Sequence, residues 1–179
     1  VCSYPKFTPI PFSENEIWNG FPDESNAPYG ISKKIMLVQS DAYFRQYGFN
    51  SISVIPTNLY GPEDDFNIET ANVIPGIILK ISNAVKTDSK EVVLWGDGSA
   101  TRDFLFVNDA ADGIILAAQK YDNVSPINLG AQKETSIKEL ATLIAEIMKF
   151  SGDITWDDTK ANGQPRRCVS NYKAEREIG

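Results

Sequence analysis

The chain has 179 residues, 42% of them hydrophobic and 23% charged, which is ordinary globular composition with enough apolar material for a core. Seventeen basic against 24 acidic side chains leave a net charge of −7, which excludes nonspecific binding to nucleic acid or anionic lipid and leaves any phosphate to be gripped by a local basic site. The absence of histidine and the presence of only two cysteines, Cys2 and Cys168, exclude a Ser-His-Asp hydrolase, a zinc centre and a disulfide framework; no metal is expected.

In chain order, the opening Val1-Cys2-Ser3 reads as the end of a strand that begins outside the chain, which is therefore expected to be a fragment. The spacing predicts a helix from Pro28, carrying Ile31, Ile35, Met36 and Leu37 and stopping at Gly48. Ile52, Val54 and Ile55 read as a buried strand that ends in the irregular connection Pro56 to Pro62. A second helix is predicted over Asn72 to Val85, with Pro75 in its first turn.

Two short strands follow, Glu91 to Leu94 and Phe104 to Val107, around the turn Gly96-Asp97-Gly98-Ser99. Asn108 is expected to cap a third helix, and Ile127 to Leu129 to form a strand. Ser136 and Glu139 have capping-box spacing, and Ile137, Leu140, Ala141, Ile144 and Ile147 continue an amphipathic helix. A strand near Ile154 to Trp156 and a basic loop from Asn162 to Arg167 close the readable part.

Strands alternating with helices predict an α/β fold with a parallel sheet, and a crevice beyond the carboxyl ends of its strands. No glycine-rich turn opens a helix, so the first half of any dinucleotide-binding unit is expected to lie outside the chain. No apolar run approaches the roughly 20 residues a membrane span needs, and a soluble, cytoplasmic protein is expected.

Tyr29 and Lys33 stand four apart on the first predicted helix and so share a face. A nearby ammonium favours phenolate over phenol, which makes such a tyrosine usable as a proton donor or acceptor near neutrality. Alone, that spacing is more often a surface pair.

Its context is more specific. Val1-Cys2-Ser3-Tyr4-Pro5-Lys6, Pro28-Tyr29-Gly30-Ile31-Ser32-Lys33, Pro56 to Pro62, Trp95-Gly96-Asp97-Gly98 and Arg102-Asp103-Phe104 occur in that order, followed by Asn128-Leu129-Gly130 and Gly163 to Arg167. Together these resemble the extended short-chain dehydrogenase/reductase family, the NAD-dependent epimerases and dehydratases, and most closely its members that epimerise and reduce a GDP-4-keto-6-deoxy sugar.

The resemblance implies the second half of a Rossmann-like sheet over residues 1–60 and 107–130, and a smaller α+β substrate lobe over 61–106 and 131–179. It implies NADP, with NAD possible in principle, a nucleotide-sugar substrate and a homodimer in the full-length form. Tyr29 becomes the acid/base at the sugar's C4 oxygen, and Lys33 its partner and a ligand of the nicotinamide ribose. Pro56, Thr57, Asn58 and Leu59 become the loop meeting the nicotinamide, with Asn72 a further cofactor contact, and Lys80, Trp95, Arg102 and Asn162 match substrate-binding positions. The family's serine or threonine beside the sugar oxygen falls just before Val1, and Ser3 does not replace it.

Cys2 matches a cysteine that exchanges a proton beside the ketone. At the position of its histidine partner stands Asn72, which cannot exchange a proton near neutral pH. A 4-epimerase, a 4-reductase without double epimerisation, and a non-catalytic nucleotide-sugar-binding scaffold are the alternatives. A dehydratase is disfavoured, because no acidic pair stands near Cys2. The 179 residues alone are expected to be inactive.

Overall fold

A computed structural model describes residues 1–160 and 163–179. The chain divides into two compact units, one of residues 1–59, 103–134 and 167–179, the other of 60–102 and 135–166. The final segment 167–179 thus lies with the first unit, whereas the sequence reading assigns it to the second lobe. The reason is a buried anchor: Val169 pairs with Phe12, and the Phe12 amide donates to the Cys168 carbonyl across 2.8 Å.

In the first unit, α1 spans Ala27–Tyr47 and ends at Gly48, whose φ of 65° is the left-handed conformation that glycine adopts without penalty. Strand β1 (Val54–Pro56) pairs in parallel with β5 (Ile127–Leu129), Val54 opposite Ile127 and Pro56 opposite Leu129. Alternation along β1 serves two cores. Val54 joins Leu105, Ala117, Ile127 and Ile178, on the side of α3 (Val107–Lys120) and α5 (Tyr172–Glu177), whereas Ile55 joins Tyr4, Phe12, Ile17 and Leu37.

A buried polar knot ties the irregular first 25 residues to β5. The Tyr4 hydroxyl donates to Asn128 Oδ1 at 2.7 Å, Asn128 Nδ2 donates to the Phe12 carbonyl at 2.9 Å, and Glu14 Oε1 accepts from the Asn128 amide at 2.9 Å. Burial raises the Tyr4 phenol well above its ordinary range, so it stays a donor.

In the second unit, α2 (Val73–Lys86) packs on β3 (Glu91–Trp95) and on α4 (Ile137–Ile147), burying Ile77, Ile81, Val92, Leu94, Leu140 and Ile144. Strand β7 (Asp153–Asp157) runs parallel to β3 with Glu91 opposite Asp153. The capping box of α4 forms as its sequence predicts: Ser136 Oγ accepts from the Glu139 amide at 3.1 Å, and Glu139 reaches back to the Ser136 amide at 2.9 Å. Strands β2 (Asn58–Tyr60), β4 (Thr101–Phe106), β6 (Glu134–Ser136) and β8 (Arg166–Arg167) pair in the order β2-β4-β6 with β8 on β4.

Three expectations are corrected. Val1-Cys2-Ser3 forms a turn, closed by the Tyr4 amide on the Val1 carbonyl at 3.1 Å, instead of a strand end. Phe106, not Asn108, is the N-cap of α3, because β4 runs straight into the helix and leaves Asn108 inside the first turn. Ile52 lies outside β1 and packs against the core beside it.

Candidate functional site

The first turn of α1 is held close to the opening turn by Gly30. A Cβ built there would stand 2.5 Å from the Cys2 carbonyl oxygen and 3.1 Å from Pro22 Cβ, so only glycine permits this approach. Gly30 and Lys34 face inward, the Lys34 amine donating to the Gly20 carbonyl at 3.1 Å, and this sets Tyr29 and Lys33 on the outer flank. There they share a face as their spacing predicts, Lys33 Nζ lying 5.2 Å from the centroid of the Tyr29 ring, with Tyr29 58% exposed.

The opening turn also meets the end of β1, where the Val1 main-chain nitrogen donates to the Pro56 carbonyl at 3.3 Å. Val1 and Cys2 therefore stand between the first turn of α1, at Gly30, and the Pro56 end of β1. Cys2 is half-buried and its Sγ accepts from Arg167 Nη1 at 3.6 Å, a contact the sequence reading missed.

The connection after β1 is itself fixed. The Thr57 amide donates to the Leu129 carbonyl at 2.8 Å, while Thr57 Oγ1 and Asn58 Nδ2 both donate to the main-chain oxygen of Asp103, at 3.0 and 2.9 Å. Asn58 thus shapes the loop through its amide nitrogen. Leu59 is exposed.

Asp103, fully buried, was legible only as part of a motif. Its carboxylate accepts from the Ala131 amide at 3.0 Å and is further bonded by the amides of Val169 and Gln132 and the Cys168 thiol. Burial pushes its pKa up, and those donors pull the other way.

In the second unit, Lys80 and Trp95 come together: the ammonium lies 5.3 Å from the Trp95 ring centroid and donates to the Val93 carbonyl at 2.9 Å. Burial lowers the Lys80 pKa, with the Asp157 carboxylate acting against it. Trp95 remains 67% exposed, offering its indole as an aromatic surface. Arg102 donates to the Thr101 carbonyl at 2.7 Å and reaches along the Gly163 side of the basic loop.

Asn72 is the N-cap residue of α2, yet its side chain makes no capping hydrogen bond. Asn162 lies outside the described residues. Among the described residues no cluster of histidine, cysteine, aspartate or glutamate is placed to hold a metal ion, and no helix is long and apolar enough to cross a membrane.

The profile of the NAD dependent epimerase/dehydratase family matches residues 1–130. A probable GDP-L-fucose synthase 1 of Oryza sativa subsp. japonica is 40% identical over 174 residues, covering 97% of this chain and 53% of that protein. GDP-L-fucose synthase 1 of Arabidopsis thaliana is 38% identical over 172 residues, covering 96% and 53%. The crystal structure of a GDP-L-fucose synthetase from Naegleria fowleri bound to NADP superposes with a TM-score of 0.91 at 32% identity, covering 98% of this chain and 56% of that one. The chain spans about half the length of the curated relatives it matches. With its profile match, its parallel β1-β5 pair and its Tyr29-Lys33 helix, this chain belongs to the NAD dependent epimerase/dehydratase family.

Proposed function

We propose that the protein carrying this chain is an NADP-dependent epimerase/reductase acting on a GDP-4-keto-6-deoxy sugar, in the manner of GDP-L-fucose synthase. The observation that carries this reading is the shared face of Tyr29 and Lys33 on α1, within a chain 32–40% identical to GDP-L-fucose synthases along most of its length. A phenol, an ammonium and the anchored Pro56 to Asn58 backbone suit a nicotinamide ribose and its ring, and the bound NADPH supplies the hydride.

Tyr29 gives its proton to the C4 oxygen of the sugar, and Lys33 stabilises the phenolate left behind. Cys2 exchanges a proton at the carbon beside the ketone. Lys80 and Arg102 supply cations for the diphosphate and Trp95 a face for the base. A cytoplasmic setting accords with the two free cysteines.

Asn72 favours a second reading, a 4-reductase that completes one epimerisation or none. The test supplies GDP-4-keto-6-deoxymannose and NADPH and resolves the sugar products by NMR. GDP-L-fucose is the expected product, a C4-reduced sugar of unchanged configuration at C3, at C5 or at both would establish the second reading, and binding without NADPH oxidation would overturn both.

The homodimer is part of the same proposal. α1 exposes Ile35, Met36, Val38, Tyr43, Phe44 and Tyr47, an apolar surface open to a second copy or to the rest of a protein of which this chain matches about half. Sedimentation equilibrium is expected to give twice the protomer mass, and a single-protomer mass at micromolar concentration would overturn it.

A further inference from the structure

The guanidinium of Arg167 touches Cys2 across 165 positions of sequence. Both partners are held from behind. On the Arg167 side, the Phe12 amide donates to the Cys168 carbonyl at 2.8 Å and the Ser170 amide to the Phe12 carbonyl at 2.9 Å, with Val169 fully buried. On the Cys2 side, its carbonyl lies against Gly30 and its neighbour Val1 donates to Pro56. The charge of Arg167 also reaches Asp23, whose carboxyl is held low first by the Ser25 hydroxyl and amide and then by Lys6 and Arg167.

A guanidinium stays protonated at any physiological pH and cannot exchange a proton itself. At 3.6 Å from the Cys2 sulfur it sets a fixed positive charge and an N–H donor on one side of that atom. We propose that Arg167 is a positioning residue that holds Cys2 ready for proton exchange at the carbon beside the sugar ketone. This rests on Cys2 being the proton-exchanging residue of the proposed function.

In the step, the thiolate takes the proton from carbon, the C–H electron pair becomes the enolate double bond, and the carbonyl electrons move to oxygen. Return of a proton to carbon restores the ketone, and when the thiol is its source the thiolate is regenerated. No oxidant or reductant is consumed. The cation beside the sulfur stabilises its negative charge before the transfer and again after the proton is returned.

The first test is alkylation of the substrate-free protein by iodoacetamide at neutral pH, with peptide mass spectrometry separating Cys2 from the buried Cys168. Arg167→Gln is expected to slow alkylation of Cys2 about tenfold and Arg167→Lys to restore most of the rate. An unchanged or faster rate in Arg167→Gln, with an unchanged melting temperature, overturns the proposal.

The second test follows solvent deuterium entering GDP-4-keto-6-deoxymannose. Arg167→Gln is expected to lose this exchange while keeping hydride transfer to an already epimerised 4-keto sugar, and an equal loss of both overturns the positioning role. Full exchange in Cys2→Ser removes the underlying reading of Cys2, whatever the alkylation rates are.

Discussion

Tyr29→Phe is expected to slow carbonyl reduction by about a thousandfold, within the range that a positioned acid/base contributes. That factor corresponds to about 4 kcal/mol of barrier. Phenylalanine keeps the ring over which the Lys33 ammonium lies, so the helix face and its cation–π contact survive. The side chain is 58% exposed, so removing its oxygen leaves no buried cavity and should leave the melting temperature unchanged. The loss would therefore report the hydroxyl alone. Single-turnover decay of NADPH fluorescence with the keto sugar measures it, and a rate within threefold of the parent would end Tyr29's assignment as the acid.

Lys33 makes the complementary case. Its ammonium approaches the ring face, where it is exposed and makes only a modest contribution to stability. In the proposed reaction its effect falls on the charge that develops on the phenol, so Lys33 is expected to matter to turnover more than to the fold.

How much of this was legible in the sequence depends on how local each signal is. The capping box of α4 needs only Ser136 and Glu139, three residues apart, and both of its hydrogen bonds form. Likewise α1 announces its end through Gly48, and β5 is a buried run between turns. By contrast β2, β6 and β8 are two or three residues long, too short for any period, and exist because β4 offers them a partner. The α5 helix is equally hidden: five polar and charged residues around a buried Ala174. For α3, the expected cap at Asn108 failed because the chain leaves β4 already turning at Phe106, and Asp109 then meets the helix dipole in the first turn.

The same rule divides the site. Tyr29 and Lys33 are one helical turn apart and could be paired from spacing, and Lys80 and Trp95 are drawn together by a helix packing on the adjacent strand. The contact of Arg167 with Cys2 and the knot around Asn128 join residues more than 100 positions apart, and nothing local announces them. Asn72 was legible as a departure from the family pattern. Its side chain makes no capping bond, so its place at the head of α2 does not use its carboxamide for that purpose.

Asp103→Ala is expected to cost about 3 kcal/mol of stability and, with it, the geometry of the Thr57-Asn58 connection. The fully buried carboxylate accepts from the amides of Ala131, Val169 and Gln132, and alanine leaves these donors without it; Val169 is fully buried, and a buried amide so orphaned costs about 1–3 kcal/mol. The space around it is equally committed, since a Cβ on Gly130 would stand 2.4 Å from Asp103 Oδ2 and 2.5 Å from Val169 Cγ2. The main-chain oxygen that Thr57 and Asn58 share belongs to this same residue, so a shift of Asp103 moves the loop proposed to meet the nicotinamide. Its raised pKa fixes the sign of the pH dependence. The folded state keeps a proton that the unfolded chain has already released, so the Asp103 contribution to stability is greatest below the ordinary carboxylate range and declines as pH rises through the folded value. Thermal melts at a pH below the ordinary carboxylate range and at neutral pH should show a decline toward neutrality in the parent that is missing in Asp103→Ala, which melts lower throughout. A variant that melts with the parent at both values would show that the buried carboxylate holds nothing together.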